Sequence, residues 1–89
     1  MLYFVYVLYS QRDKKLYVGC TNNISRRITQ HNHGSVLATK NRRPLVVIHS
    51  EHYKNKGDAF QRERFLKSLW GARTKKKILQ EYLDKVGRQ

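Results

Sequence analysis

Acidic side chains are scarce in this chain. Six Asp and Glu stand against 19 Lys and Arg in 89 residues, a formal net charge of +13. A domain of this size more often carries a net charge of magnitude roughly 2 to 8. Self-repulsion at +13 opposes compaction, so the surplus points to a polyanionic partner. Cysteine is scarcer still: Cys20 stands alone, which excludes an internal disulfide and a Cys-rich zinc site. A reducing, cytoplasmic setting is the default expectation. No apolar run approaches the ~18 residues of a membrane span, so no membrane partner is expected. The N-terminal LYFVYVLY lacks the charged n-region and small-residue cleavage site of a signal peptide. There is no internal repeat and no Pro/Gly/Ser-rich linker, and chains usually divide only above ~200 residues. Residues 1–89 are therefore expected to form one domain. With 39% hydrophobic and 11% aromatic residues, that domain can bury a core, and disorder is a poor description.

Residues 2–9 are apolar and aromatic at both parities, the pattern of a central strand covered on both faces. The polar stretch 10–15 reads as a turn and residues 16–20 as a second strand, so an antiparallel hairpin is the simplest connection. Thr21 or Asn22 can cap a helix that runs to about His33 and stops at Gly34. Residues 35–43 form a basic loop, and Pro44 opens a third strand over Leu45–His49. Gly57-Asp58 starts a second helix that continues to about Trp70, Gly71 breaks it, and Thr74–Val86 form a third. The order is ββαβαα, an α+β domain with a small three-stranded antiparallel sheet flanked by helices.

Several charged residues fall on apolar helix stripes, where i, i+3, i+4 and i+7 share a face. Ile24 and Ile28 mark the stripe of the first helix, and Arg27 and His31 lie at i+3 and i+7 from Ile24. Ala59, Leu66 and Trp70 mark the stripe of the second, with Glu63 in its middle. A carboxylate and a guanidinium facing a sheet are costly unless paired or used. One account is a structural ion pair between Arg27 and Glu63. The other is a pocket holding a metal ligand, a phosphate-binding arginine and a histidine. The charge surplus and the nearby tyrosines favour the pocket. Tyr3 and Tyr9 read as core or edge aromatics. Tyr6 and Tyr17 can stand side by side across the hairpin, and Gly19 on Tyr17's face leaves room for a ligand or a close approach.

These residues resemble the GIY-YIG nuclease superfamily. The first half-motif is Phe4-Val5-Tyr6, and the second is Tyr17-Val18-Gly19 within LYVGCT. NNISRRITQH follows with Arg27 and His31, then a Pro-led strand, then AFQRERFLK with Glu63. The likeness spans roughly residues 3–80 and is nearest to small stand-alone bacterial members. Phe4 stands where the motif's name has glycine. The resemblance implies an endonuclease that hydrolyses DNA phosphodiester bonds with one divalent metal, Mg²⁺ or alternatively Mn²⁺. It implies that Glu63 holds the metal, which suits a Mg²⁺ site of one carboxylate plus waters and substrate oxygens. By the same resemblance Arg27 neutralises charge on the scissile phosphate. Tyr6 and Tyr17 orient the attacking water, one as general base, and His31 bonds phosphate or assists proton transfer. Branched, nicked or single-stranded DNA in repair or recombination is the implied substrate class, DNA before RNA. No separate targeting domain is seen, which leaves that task to a protein partner.

Other residues have blander accounts. His31-Asn32-His33 spells the name of a different nuclease motif, but neighbours on a helix point about 100° apart and cannot build that dispersed site. Cys20 reads as a small space-filler, and His49 and His52 as surface or loop residues. Lys40, Arg42 and Arg43 after the first helix, with Arg62, Arg64 and Lys67 around Glu63, are expected to form a rim that contacts phosphates without reading bases. Lys75, Lys76 and Lys77 extend that rim or form a solvated face. A non-catalytic nucleic-acid-binding domain is the rival to the enzyme, and a structural ribonucleoprotein component a third option. Neither requires an acid in the cleft.

Overall fold

A computed structural model describes residues 1–87. Strand β1 (Tyr3–Ser10) and β2 (Leu16–Thr21) form the hairpin, followed by helix α1 (Ile24–Asn32) and a short 3-10 turn at Lys40–Arg42. Strand β3 (Leu45–Tyr53), helix α2 (Lys56–Lys67), a 3-10 turn at Leu69–Gly71 and helix α3 (Ala72–Gly87) complete the described residues. The sheet is antiparallel with order β2-β1-β3. The ββαβαα order and the α+β class expected from sequence are both present.

β1 is central, and its two parities serve two cores. Val5 and Val7 meet Val18, Ala59, Leu66 and Ile78 on the face covered by α2 and α3. Tyr6 and Leu8 meet Leu45, Tyr17, Ile24 and Ile28 on the face covered by α1. A strand apolar at both parities is thus buried twice, which fixes register on both sides.

Local signals set the helix ends. The Asn23 side chain caps α1 by accepting from the Arg26 amide at 3.0 Å. The expected caps, Thr21 and Asn22, lie just upstream, and Thr21 Oγ1 instead accepts from the Asn23 amide in a short turn at 3.1 Å. Gly34 ends the helix at φ +81°, the left-handed conformation in which a Cβ is penalised.

Several boundaries differ from expectation; α3, for one, begins at Ala72 and not at Thr74. β3 runs four residues past His49, to Tyr53, so His49 and His52 belong to a strand. A bulge between the Val7–His49 and Leu8–Val47 pairs leaves Ile48 extra and lets the strand continue. α2 begins at Lys56 because the Asn55 side chain accepts from the Gly57 amide at 2.7 Å. It also ends earlier. Ser68 turns extended and its hydroxyl donates to Phe65 O at 2.6 Å, so Trp70 leaves the stripe and is 84% exposed. Gly71 then passes so close to Phe65 and Leu66 that a Cβ would collide with backbone.

Candidate active site

The hairpin register places Tyr6 opposite Gly19 and Tyr17 opposite Leu8. Tyr6 and Tyr17 therefore point from the same face on a diagonal rather than directly side by side. The Tyr6 ring lies across the space above Gly19, where an added Cβ would come within 2.9 Å of Tyr6 Cε2 and nearer still to Cζ and the hydroxyl. Glycine is needed here for that close approach.

α1 covers this face and brings His31 between the two phenols. The His31 ring sits edge-on to Tyr6 with centroids 5.7 Å apart and to Tyr17 at 5.2 Å. His31 is 0% exposed, and both of its nitrogens are engaged. Nε2 lies 2.9 Å from the Tyr6 hydroxyl and Nδ1 lies 2.7 Å from Thr39 Oγ1. The Thr39 hydroxyl can donate to Val36 O at 3.5 Å. One assignment satisfies every group: Nδ1–H donates to Thr39, and Nε2 accepts from Tyr6. Burial, aided by the Arg27 charge, lowers the His31 pKa to about 4, so the ring is neutral at pH 7.

Arg27, one turn earlier, faces the same phenols. Its guanidinium donates to Gln30 Oε1 at 3.2 Å, and its pKa is raised, chiefly through a side-chain interaction with Tyr6. Burial pushes the Tyr6 phenol above its ordinary value. Arg27 opposes that shift, while Tyr17 and the negative charge of Glu63 add to it.

Glu63 approaches from the opposite layer, on α2, next to the β2 edge. Its Oε2 lies 3.2 Å from Lys67 Nζ, and no Arg27–Glu63 ion pair forms among the described residues. The structural pairing that sequence allowed for those two residues is thus absent. Lys67 also stands 5.9 Å from the Tyr17 ring centroid. Burial and the Glu63 charge hold the Cys20 thiol above its ordinary pKa, which agrees with a space-filling role and not with a nucleophile.

The donor set can be tested against a divalent ion. Among the described residues no three His, Cys, Asp or Glu gather at one point, so an all-protein cage is absent. A single carboxylate already facing an ammonium accepts positive charge, and one carboxylate completed by water and phosphate oxygens is a normal Mg²⁺ arrangement. Glu63 fits that role.

The basic rim is more divided than its sequence positions suggested. Arg42 Nε is bound to Asp13 Oδ2 at 2.6 Å, which draws the Asp13 pKa down to about 2. Arg62 grips both Glu51 oxygens at 2.9 and 3.0 Å, while His49 and Tyr53 bind the same carboxylate. Arg43 Nε donates to Lys40 O at 2.9 Å in the exposed loop after α1. Arg64 is exposed on the outer side of α2, beside Phe65 and Trp70. Lys75 is half-buried, and Lys76 and Lys77 are exposed on α3.

Sequence reasoning overlooked Thr39, whose loop position carries no periodic signal. It also overlooked Arg26, Lys56 and Phe60. These three line a cleft of about 410 Å³ that also includes Arg27. Lys56, Phe60, Glu63 and Lys67 follow i, i+4, i+7, i+11 spacing along one ridge of α2, a signal hidden by starting that helix at Gly57.

Comparisons agree with this architecture. Residues 2–77 match the GIY-YIG catalytic domain. A UPF0213 protein of Natronomonas pharaonis is 38% identical over 80 residues, which cover 89% of this chain and 93% of its own. A UPF0213 protein of Clostridium perfringens is 39% identical over 67 residues, 74% of this chain and 71% of its own. The solution NMR structure of a UPF0213 protein from Bacillus halodurans aligns with a TM-score of 0.57 at 28% identity, over 90% of this chain and 84% of that one. The chain belongs to the GIY-YIG family, whose nuclease domains act on nucleic acid and generally use a divalent metal ion.

Proposed function

We propose that residues 1–89 act as one metal-dependent endonuclease domain that hydrolyses phosphodiester bonds in DNA, with Tyr6, Tyr17, Arg27, His31 and Glu63 as its working groups. The observation that carries this reading is the Tyr6–His31–Thr39 chain. A neutral, buried imidazole accepts from a phenol at 2.9 Å while a guanidinium faces that phenol.

The chemistry follows from those positions. Arg27 offers a permanent positive charge to the phosphate oxygens as negative charge builds there. A phenol is a poor base at pH 7 unless positive charge favours its phenolate, and Arg27 acts on Tyr6 in that direction. His31 stays neutral and its Nε2 fixes the Tyr6 hydroxyl by accepting its hydrogen bond, which leaves the phenol oxygen's lone pairs for the attacking water. Tyr17, on the same face, orients that water. Glu63 would hold a Mg²⁺ or Mn²⁺ ion, which when bound supplies further positive charge to the phosphate. With that ion in place, Lys67, which stands 3.2 Å from Glu63 Oε2, would be released to meet a phosphate oxygen.

The test is a cleavage panel of linear, nicked, branched and single-stranded DNA and of RNA, with Mg²⁺, Mn²⁺ or EDTA. Cleavage of a DNA substrate in either metal and none in EDTA is expected. Glu63→Ala is expected to lower the rate by roughly 100-fold or more while binding persists. Binding to every substrate with cleavage of none would replace the enzyme by a non-catalytic nucleic-acid-binding domain.

A further inference from the structure

The cleft of about 410 Å³ beside Arg27 lies between the start of α1 and the start of α2, past the end of β2. Its volume is in the range of small-ligand sites, and a duplex that keeps its bases in the stack can offer it only backbone. Two observations indicate what fills it. Phe60 stands on one wall at 45% exposure with Lys56 Nζ 5.4 Å from its ring centroid, a large aromatic surface coupled to a cation. Arg26 and Lys56 have no carboxylate partner among the described residues, in contrast to Arg42 and Arg62. Aromatic faces flanked by unpaired cations are how proteins hold unpaired bases and their phosphates. Gln30, also in the cleft, gives its carbonyl to Arg27 and leaves its amide N–H groups for an acceptor.

We propose that this cleft is a nucleobase subsite: it takes the unpaired base of the nucleotide next to the cleaved phosphate, stacked on Phe60, with Arg26 and Lys56 on the flanking phosphates. The neighbouring placement rests on the nuclease reading, because Arg27 belongs both to the cleft and to the phosphate-binding centre. A base reaches the cleft only from a single strand or by leaving a duplex stack, which costs energy in a paired helix. The substrate class is therefore a strand with an unpaired nucleotide at the cutting point. The shared chemistry is a free nucleobase, whether from DNA or RNA.

The experiment measures binding in EDTA by fluorescence anisotropy. The probes are a 20-nucleotide single-stranded DNA of mixed sequence, its perfect duplex and the same sequence as single-stranded RNA. The parent protein should prefer single strand over duplex. Phe60→Ala should weaken single-strand binding roughly tenfold and duplex binding by less than about twofold, and Phe60→Trp should restore it. The RNA arm identifies the strand chemistry, and the same Phe60 dependence there also supports the subsite. Phe60 is half-exposed, and matching melting curves for the three proteins confirm intact folding. Equal losses on single strand and duplex, no loss on either, or a preference for duplex would overturn the subsite. Because the measurement needs no metal and no turnover, it separates two failures. Phe60-dependent binding with no cleavage in Mg²⁺ or Mn²⁺ upholds the base subsite and sinks the nuclease reading. Cleavage untouched by Phe60→Ala sinks the subsite alone.

Discussion

Gly19→Ala probes the centre without removing any of its functional groups. An alanine Cβ would lie 2.9 Å from Tyr6 Cε2, whereas unstrained carbon atoms sit at about 3.5 Å. The ring must therefore shift by at least about 0.6 Å, and its hydroxyl farther. It has little freedom to do so: Tyr6 is 1% exposed, packed with Leu8 and Leu45, and tied at 2.9 Å to His31 Nε2. Overpacking of this kind costs about 1–3 kcal/mol, and loss of the buried hydrogen bond adds about 1 kcal/mol. For a domain of this size the sum corresponds to a fall in Tm of roughly 10–30 °C. Misplacement of the phenol by a fraction of an ångström to 1 Å should slow single-turnover cleavage by up to about 100-fold. Gly87→Ala, with nothing within 4 Å of the new methyl, serves as the neutral control. Calorimetry and single-turnover cleavage on the two variants decide the matter. A Gly19→Ala protein with parental Tm and a rate within about twofold of the parent would refute the packing of Tyr6 over Gly19.

Three further outcomes are expected. Thr39→Val leaves the His31 Nδ1–H buried without an acceptor, which should cost about 1–3 kcal/mol and alter the pH–rate profile; Thr39→Ser should restore both, whereas a merely space-filling Thr39 would leave that profile unmoved. His31 has a folded pKa of about 4 against an ordinary 6.5, so the unfolded chain takes a proton in that window while the folded chain resists it. Stability from this group is complete above pH 6.5 and lost progressively down to about pH 4, and urea titrations of the parent and His31→Gln should differ in slope across that interval. Finally, Arg42→Ala should lower Tm and leave the salt dependence of DNA binding unchanged, because Asp13 already neutralises its charge. Arg26→Ala should reduce the log–log salt slope for single-stranded DNA by about 0.7, and equal slopes for the two variants would contradict that division of the basic residues.

The double-sided apolar pattern of β1 made the central strand legible, and the stripe positions of Arg27, His31 and Glu63 directed attention to the region where they gather. Both signals are periodic, and periodicity survives in a bare sequence. What escaped was non-local or terminal. The polar run His49–His52 looked like a strand's end, yet Glu51 is stabilised there by Arg62, 11 residues away. Arg42 read as a rim cation, and no local signal announced its ion pair with Asp13, 29 positions distant. Trp70 fitted the helical stripe of Ala59 and Leu66, but a single extended residue, Ser68, swung it outward. Thr39 meets His31 only because the loop after α1 folds back, and no spacing rule reports such a return.

The two layers that meet at the centre differ in how they open. Tyr6 belongs to a strand paired on both sides and covered on both faces, so its amide is expected to exchange with solvent only through global unfolding. Glu63 and Phe60 ride on a helix whose outer side is solvated, and their amides can exchange through local opening. On the proposed reading, the phenol and imidazole form the fixed half, and the half that would hold the metal and the strand rides on a helix free to adjust, so a strand would seat itself by movements of α2 while Tyr6 and His31 keep their alignment.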